Sequence, residues 1–326
     1  MKPKWAFGLD LGGTNARLAL VSHRGVIVDS VRRQTEEVGS PQIFVKWAAE
    51  ESAALLKRVR LNRAAVAGIG VGVPGPVDQR LGRILMLPNV PQWKNVPLEG
   101  LLKKASGLPV AMDNDGNVMT VAEHLFGAAR GTHHTLFITL GTGIGGGMIY
   151  DGKIFRGSTF SAMEISHMRH GGSHSAPCGC GSRGCLETWL GNRPLRNRAE
   201  KELRPFSAVL KNLVTKSPDH RLRLEHVTQA ATAGDRRSAK FWADVAAEFG
   251  DFLGGICNLL NPEMIVIGGG VAGAGNFLFN PLRAAVRRQA FALATERLKI
   301  VPAKFGADAG IIGAAALAFA RSEESK

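Results

Sequence analysis

The sequence predicts an α/β chain built as two similar halves, and three observations lead there. An apolar run, a glycine-rich turn and a second apolar run occur twice. The first set is Trp5–Asp10, Leu11–Asn15 and Ala16–Leu20; the second is Thr135–Leu140, Gly141–Gly147 and Met148–Tyr150, about 130 residues later. Short strand-like runs alternate with stretches of helical periodicity. The runs also end in glycines or carboxylates, the place where ligands meet open α/β sheets. Two strand–glycine-turn–strand units suit two half-molecules facing one nucleotide.

Taken in order, Trp5-Ala-Phe-Gly-Leu-Asp10 reads as a buried strand turning through Leu11-Gly12-Gly13-Thr14-Asn15 into a second. Glycines there free backbone N–H groups to cradle phosphate. Asp10 at the strand end suits Mg²⁺, which keeps much of its water and takes few carboxylates. A plain tight hairpin accounts for Gly-Gly equally well, and the lysine-bearing phosphate loop is absent.

Pro41 to Val59 has helical spacing, with Ile43, Phe44, Trp47, Ala48, Ala54 and Leu55 apolar. Val66–Val73 is a buried strand ending in Pro74-Gly75-Pro76-Val77-Asp78, a turn that lets backbone approach a ligand. Leu87-Pro88-Asn89-Val90, with Trp93, follows as a loop, then a short helix over Leu98–Ala105 and a strand over Pro109–Met112. That strand ends in Asp113-Asn114-Asp115-Gly116-Asn117, and Val118–Phe126 reads as a helix. Asp115 is the candidate general base, since a hydroxyl nucleophile must lose its proton as the new bond forms. A helix cap is the competing reading of the same residues.

The densest chemistry lies between Glu164 and Glu187. Three of four cysteines, Cys178, Cys180 and Cys185, fall within eight residues, and His167 stands eleven residues before the first. One imidazole and three thiolates compose a closed tetrahedral zinc site. Glycines 179, 181 and 184 allow the tight backbone that convergence needs. Such a site has no open position for water, so it shapes the loop and braces both glutamates. Spacing alone also admits three reduced core cysteines, and His170 and His174 as rival fourth ligands.

Thr188–Lys240 reads as helical and basic. Phe241–Leu260 carries a broad apolar stripe (241, 245, 249, 252, 253, 256, 259, 260) read as core, with Cys257 on it as a small buried hydrophobe. Met264–Ile267 is a strand capped by Gly268-Gly269-Gly270, where a flat ring such as adenine could lie near the backbone. A short strand at Ile300-Val301 and an alanine-rich helix over Gly310–Ala320 complete the chain.

Composition bounds the function. The 326 residues are 45% hydrophobic and 21% charged, ordinary for a soluble globular chain. The net charge of +14 admits nucleic acid, anionic membrane or anionic substrate. Much of it lies in stretches such as Arg193-Pro-Leu-Arg196-Asn-Arg198 and Arg221-Leu-Arg223, interspersed with Glu and Leu, which reads as a solvated helical surface. No signal-peptide core or membrane-length apolar run is visible. Cysteines clustered as ligands fit a reducing cytoplasm.

In order along the chain, Asp10-x-Gly-Gly-Thr14, Pro74-Gly75-x-Val-Asp78, Asn114-Asp115-x-Asn117, Gly141-Thr-Gly-x-Gly145, Glu164-x-x-His167, Cys178-x-Cys-Gly-x-x-Gly-Cys-x-Glu187 and Ile267-Gly-Gly-Gly270 resemble the motifs of the ROK family of bacterial sugar kinases and repressors. The resemblance implies the actin-like, ribonuclease-H-like (hexokinase-type) fold, two α/β domains closing over a cleft. It would place residues 1–116 in a small domain completed by a C-terminal helix at about 310–326, and 117–309 in a larger one. It implies an ATP-dependent hexose kinase acting on the 6-hydroxyl, glucose first. Asp115 would be the base. Asn114, Glu164, His167 and Glu187 would hold sugar hydroxyls, with Gly75 and Asn89 beside them. Asp10, Gly12, Gly13, Thr14, Gly141, Thr142 and Gly143 would form the phosphate and Mg²⁺ loops, and Gly268 and Gly269 the adenosine side. Structural Zn²⁺ would sit on His167, Cys178, Cys180 and Cys185, and the chain would be a homodimer.

The chain departs from that pattern at two places, where the family usually has glycine and Met163 and Ser166 stand. N-acetylmannosamine, N-acetylglucosamine and fructose remain as substrates. A repressor of the same family would carry a helix-turn-helix before the first phosphate loop, for which Asp10 leaves no room, so no specific nucleic acid is expected. A non-catalytic sugar sensor is the remaining reading of another class.

Overall fold

The computed structural model describes residues 3–87, 91–169 and 176–324. Strands β1 (Trp5–Leu11), β2 (Asn15–Ser22) and β3 (Ile27–Gln34) come first. Helix α1 (Pro41–Arg58) leads to β4 (Val66–Val73) and the short pair β5 (Val77–Asp78) and β6 (Arg83–Ile84). Helix α2 (Leu98–Ser106), strand β7 (Val110–Asn114) and helix α3 (Asp115–Leu125) follow. Strands β8 (Thr135–Leu140), β9 (Ile144–Tyr150) and β10 (Lys153–Ile154) precede the cysteine loop. Helices α4 (Glu187–Leu190), α5 (Asn192–Glu202), α6 (Ala208–Lys216), α7 (Leu224–Thr232) and α8 (Arg236–Leu260) come next. Strand β11 (Met264–Gly268), helices α9 (Asn276–Gln289) and α10 (Ala292–Thr295), strand β12 (Lys299–Pro302) and helix α11 (Ala309–Glu324) close the chain. No helix among the described residues is long and apolar enough to cross a membrane.

The chain divides into two compact units. The first holds residues 1–131, 147–163 and 304–326, and the second 132–146 and 164–303. The sequence-based division at 116/117 falls inside α3.

In the first unit a five-stranded sheet runs β3-β2-β1-β4-β7. β1 pairs antiparallel with β2 and parallel with β4, which pairs parallel with β7. Every residue of β4, Val-Ala-Gly-Ile-Gly-Val-Gly-Val, is buried, as a strand covered on both faces requires. One face packs on α1 and α2 through Phe7, Phe44, Trp47, Leu55 and Leu102. The other meets α11, whose Ile311, Ala315 and Ala318 pack on Ala6, Ala19 and Ala67. That contact explains two glycines inside the strands. A Cβ on Gly8 would stand 2.0 Å from the Ile311 carbonyl oxygen, and one on Gly70 1.6 Å from that of Ala314. Buried Glu123 ties the returning chain to α3, accepting from the backbone N–H of Ala128 (2.8 Å), Lys304 (2.8 Å) and Phe305 (3.0 Å).

The second sheet runs β10-β9-β8-β11-β12, and the boundary between units falls within β9. β11 is entirely buried and pairs parallel with β8 and β12. The α8 stripe is core, as expected: Phe241, Val245, Phe249, Leu253, Ile256 and Cys257 are buried, and only its end, Leu259, faces solvent. Gly250 and Gly254 let α8 meet α9 closely, since a Cβ at either would stand 2.3 Å and 2.6 Å from the Cβ of Ala285 and Gln289. Much of the basic surface is internally paired: Arg198 binds Glu202 and Glu248, Arg223 binds Asp219, Lys240 binds Asp244, and Arg204 binds Glu200.

Candidate functional site

The first unit assembles a carboxylate-lined turn. Backbone bonds shape it: Gly12 N–H donates to Asn15 O (2.9 Å), and Thr35 reaches back with Oγ1 to Gly12 O (2.7 Å) and N–H to Thr14 O (2.9 Å). Asp10, Gly12 and Thr14 line a cavity of about 580 Å³ together with Asn15, Arg17, Ser30, Arg32 and Asp308. Gly13 is exposed at the tip, with open space where a side chain would stand. Asp10 is half-buried as a residue, but its carboxyl is packed against the backbone of Gly310, where a Cβ would come within 2.8 Å of Oδ2. Burial pushes its pKa up from the ordinary 3.8 to about 6; the charge of Asp115 adds to the rise and Arg17 opposes it. Asp10 and Asp115 therefore sense one another across the carboxyl ends of the sheet.

Asp115 is the first residue of α3. The capping reading belongs to its neighbour: Asn114 Oδ1 accepts from Asn117 N–H at 2.7 Å, while Asp115 Oδ1 accepts from the adjacent Gly116 N–H. Behind them stands an ion pair that the sequence reading missed. Asp113 is 3% exposed, and its Oδ2 takes two bonds from Arg156, from Nε at 2.9 Å and Nη2 at 2.8 Å. Its Oδ1 accepts from Asn114 N–H and Asn117 Nδ2 at 2.9 and 2.8 Å. Forty-three residues separate the partners, and an Arg after an apolar run carries no local signal of its distant acid. Gly75 has φ 99°, a left-handed conformation suited to glycine. Asn89 lies outside the described residues.

The second unit holds the four thiol and imidazole side chains and the second glycine turn. His167, Cys178, Cys180 and Cys185 place one ligand atom each within 4.8 Å of one another. Two edges of that set are 3.7 Å: Cys178 Sγ to His167 Nδ1, and Cys180 Sγ to Cys185 Sγ. Metal–sulfur bonds of about 2.3 Å in tetrahedral array put sulfurs about 3.8 Å apart, so the cluster matches a closed metal cage. With Nδ1 turned to the cysteines, Nε2 is the remaining ring nitrogen. Gly181 and Gly184 supply φ of 88° and 72° at the turns; Gly179 has no such φ. The loop closes through Cys178 N–H to Ser182 O (2.8 Å) and Leu186 N–H to Met168 O (2.9 Å). Burial lifts the Cys185 thiol to about 11, with the neighbouring sulfurs adding, whereas the Ser182 backbone holds Cys180 below its usual value. His170 and His174 lie outside the described residues.

Glu187 opens α4 two residues after Cys185, and its Oε2 accepts from Ile144 N–H at 2.9 Å. The turn before Ile144 is closed by Gly141 N–H to Gly143 O (2.9 Å), and Asn192 N–H donates to Gly141 O (3.0 Å). Gly269, at φ 83°, lies against the end of β8, where a Cβ would stand 2.3 Å from Leu140 O. Gly141, Thr142, Gly143, Gly268 and Gly269 are thus gathered at one end of this sheet. Glu164 is exposed and precedes the turn Ile165–His167. The two departures resolve differently: Met163 has φ 69°, while Ser166 sits buried inside that turn without positive φ.

Two α/β units, each presenting glycine turns and acidic residues at the carboxyl ends of its strands, define the hexokinase-type class of fold. The chain belongs to the ROK family, whose sequence profile matches residues 6–321. It is 33% identical over 310 residues to the glucokinase of Thermotoga maritima, covering 95% of this chain and 96% of that one. Among solved structures it is similar to a ROK family glucokinase from Streptomyces griseus in complex with glucose and AMPPNP, with TM-score 0.77, 30% identity, and 96% and 98% of the two chains covered. A ROK family transcriptional regulator homologous to the E. coli Mlc protein matches with TM-score 0.84 at 25% identity, covering 98% of this chain and 78% of the regulator.

Proposed function

We propose that this protein is an ATP-dependent kinase of the hexose 6-hydroxyl, with glucose as the first substrate. The observation carrying the reading is the carboxylate pair: Asp115 at the head of α3, close enough to Asp10 for its charge to raise that group's pKa. Asp115 takes the proton from the attacking hydroxyl, help that typically contributes ~10²–10⁴-fold. Asn114, fixed as the α3 cap, Gly75, Asn89, Glu164, His167 and Glu187 hold sugar hydroxyls. The turns over Gly12, Gly13 and Thr14 and over Gly141, Thr142 and Gly143 receive phosphate, the N–H groups of Gly12 and Gly141 closing the turns rather than meeting the ligand, and Gly268 and Gly269 receive the adenosine. Magnesium, when bound, neutralises phosphate charge, and Asp10 would hold it through water. The Cys₃His cage suits zinc in a structural role, since all four positions are protein ligands. A homodimer in the cytoplasm completes the proposal.

N-acetylmannosamine, N-acetylglucosamine or fructose are the other substrates of the same reading. A non-catalytic sugar sensor is supported by the likeness to the Mlc-type regulator. A coupled assay of ADP release over a panel of hexoses separates these. The expected result is turnover with glucose that Asp115→Asn abolishes while the fold persists. Absence of ADP release with every sugar, or near-normal rates in Asp115→Asn, overturns the proposal.

A further inference from the structure

We propose that Glu187 is a positioning residue for the Gly141–Gly145 turn, tying the metal loop to the loop that receives phosphate. The inference rests on the nucleotide reading above and goes beyond it, because there Glu187 only holds sugar. Three observations within the second unit carry it. Glu187 Oε2 accepts the Ile144 amide at 2.9 Å. The same oxygen lies over Gly143 so closely that a Cβ there would come within 2.6 Å of it. The other end of the turn is pinned by Asn192, which donates its N–H to Gly141 O at 3.0 Å from the start of the next helix.

Glu187 is the first residue of the four-residue helix that begins two residues after Cys185, and Asn192 stands two residues beyond its end. The cysteine cage therefore fixes where that helix starts, and the helix fixes both ends of the glycine turn. Three of the five residues of the turn are glycines, which leave the backbone free to wander. An anion-binding turn works only while its N–H groups point at the ligand. The charge-assisted bond from Ile144 supplies that order, and it is of the stronger class of hydrogen bonds. Oε2 is committed to Ile144, which leaves Oε1 as the oxygen for a sugar hydroxyl. One carboxylate then serves both substrates' loops, and metal loss acts on nucleotide binding through it.

The test uses the full chain, metal-loaded and chelated, with Glu187→Ala and Glu187→Gln. Glutamine keeps an acceptor for the Ile144 amide and loses the charge; alanine removes both. Hydrogen exchange at the Ile144 amide and calorimetric affinity for a non-hydrolysable ATP analogue are measured for each. Expected are faster exchange at Ile144 and about tenfold weaker analogue binding in Glu187→Ala, with both largely restored in Glu187→Gln. The amide of Ile267 inside β11 stays unchanged, and chelation accelerates Ile144 in the wild type. If Glu187→Ala does not fold, Glu187→Met, similar in length and lacking the acceptor, takes its place. Unchanged Ile144 exchange in the alanine or methionine variant overturns the proposal. So does unchanged analogue affinity in a variant whose wild type binds the analogue. If the wild type binds no analogue, the nucleotide reading fails on its own, and Ile144 exchange still decides the clamp.

Discussion

Asp10 makes stability of the Mg²⁺-free protein depend on pH in a direction opposite to most carboxylates. Its pKa is about 6 in the folded chain against an ordinary 3.8. The folded state then binds the proton more tightly than the unfolded one, so stability falls as pH rises through this window and levels off above it. The whole shift corresponds to about 3 kcal/mol at 1.36 kcal/mol per unit. Between about pH 4.5 and 7.5 the part that develops is about 2 kcal/mol. Because the residue keeps some exposure, the lower end of about 1–2 kcal/mol is expected. Asp10→Asn removes the titration. The measurement is urea unfolding of both proteins at the two pH values in the presence of a chelator, read as the variant-minus-wild-type difference. That difference should grow in the variant's favour by about 1–2 kcal/mol on going to high pH. A difference that is the same at both pH values would show that Asp10 ionises as freely in the fold as outside it, and the crowding by Gly310 and Asp115 would carry no electrostatic consequence.

Three further perturbations follow from the geometry. Breaking the Asp113–Arg156 pair by Arg156→Met leaves a nearly buried carboxylate uncompensated, an effect of about 3–5 kcal/mol when both partners are buried. With Arg156 a quarter exposed (26%), about 2–3 kcal/mol is expected on chemical denaturation, and Asp113→Asn in the same background should recover part of it; additive losses would refute the pairing. At Met163, held at φ 69°, Met163→Gly should be more stable than Met163→Ala by about 1 kcal/mol, since only glycine is unstrained there; equal melting of the two would exclude strain. Cys185→Ser should lower the bound metal, measured by elemental analysis, from one ion per chain to well below one, with a lower melting temperature; unchanged metal content would place the ion elsewhere.

The parts of the fold legible in the sequence were those written locally. The strand–glycine-turn–strand units, the helix before Asn261 and the clustering of Cys178, Cys180 and Cys185 all follow from spacing over a few residues, and the structure forms each of them; it also brings His167 to the three thiols, which spacing leaves open among rival histidines. What stayed hidden depends on partners far apart in the chain. Gly8 and Gly70 read in the sequence only as members of buried strands, yet they serve close approach of α11, some 300 and 244 positions later, and no local pattern marks a strand glycine that lies under a helix. Glu123, with the backbone of Lys304 and Phe305, and Asp113, with Arg156, are invisible for the same reason.

The helix start at Asp115 shows the two kinds of information meeting. The run Asp113-Asn114-Asp115 offers three candidate caps, and propensity treats Asn and Asp as near equals. Tertiary contacts divide the work. Arg156 claims Asp113, and the α3 amide at Asn117 claims Asn114. Asp115, accepting from Gly116 N–H, opens the helix, where the positive end of the helix dipole favours its charge while the charge on Asp10 opposes it. That opposition couples the proposed base to its neighbour: the charge of Asp115 raises the Asp10 pKa, and a proton or a cation on Asp10 removes the repulsion between them. In the proposed reaction a cation held by Asp10 therefore acts on Asp115 in two opposed ways, keeping its carboxylate charged and weakening it as a base.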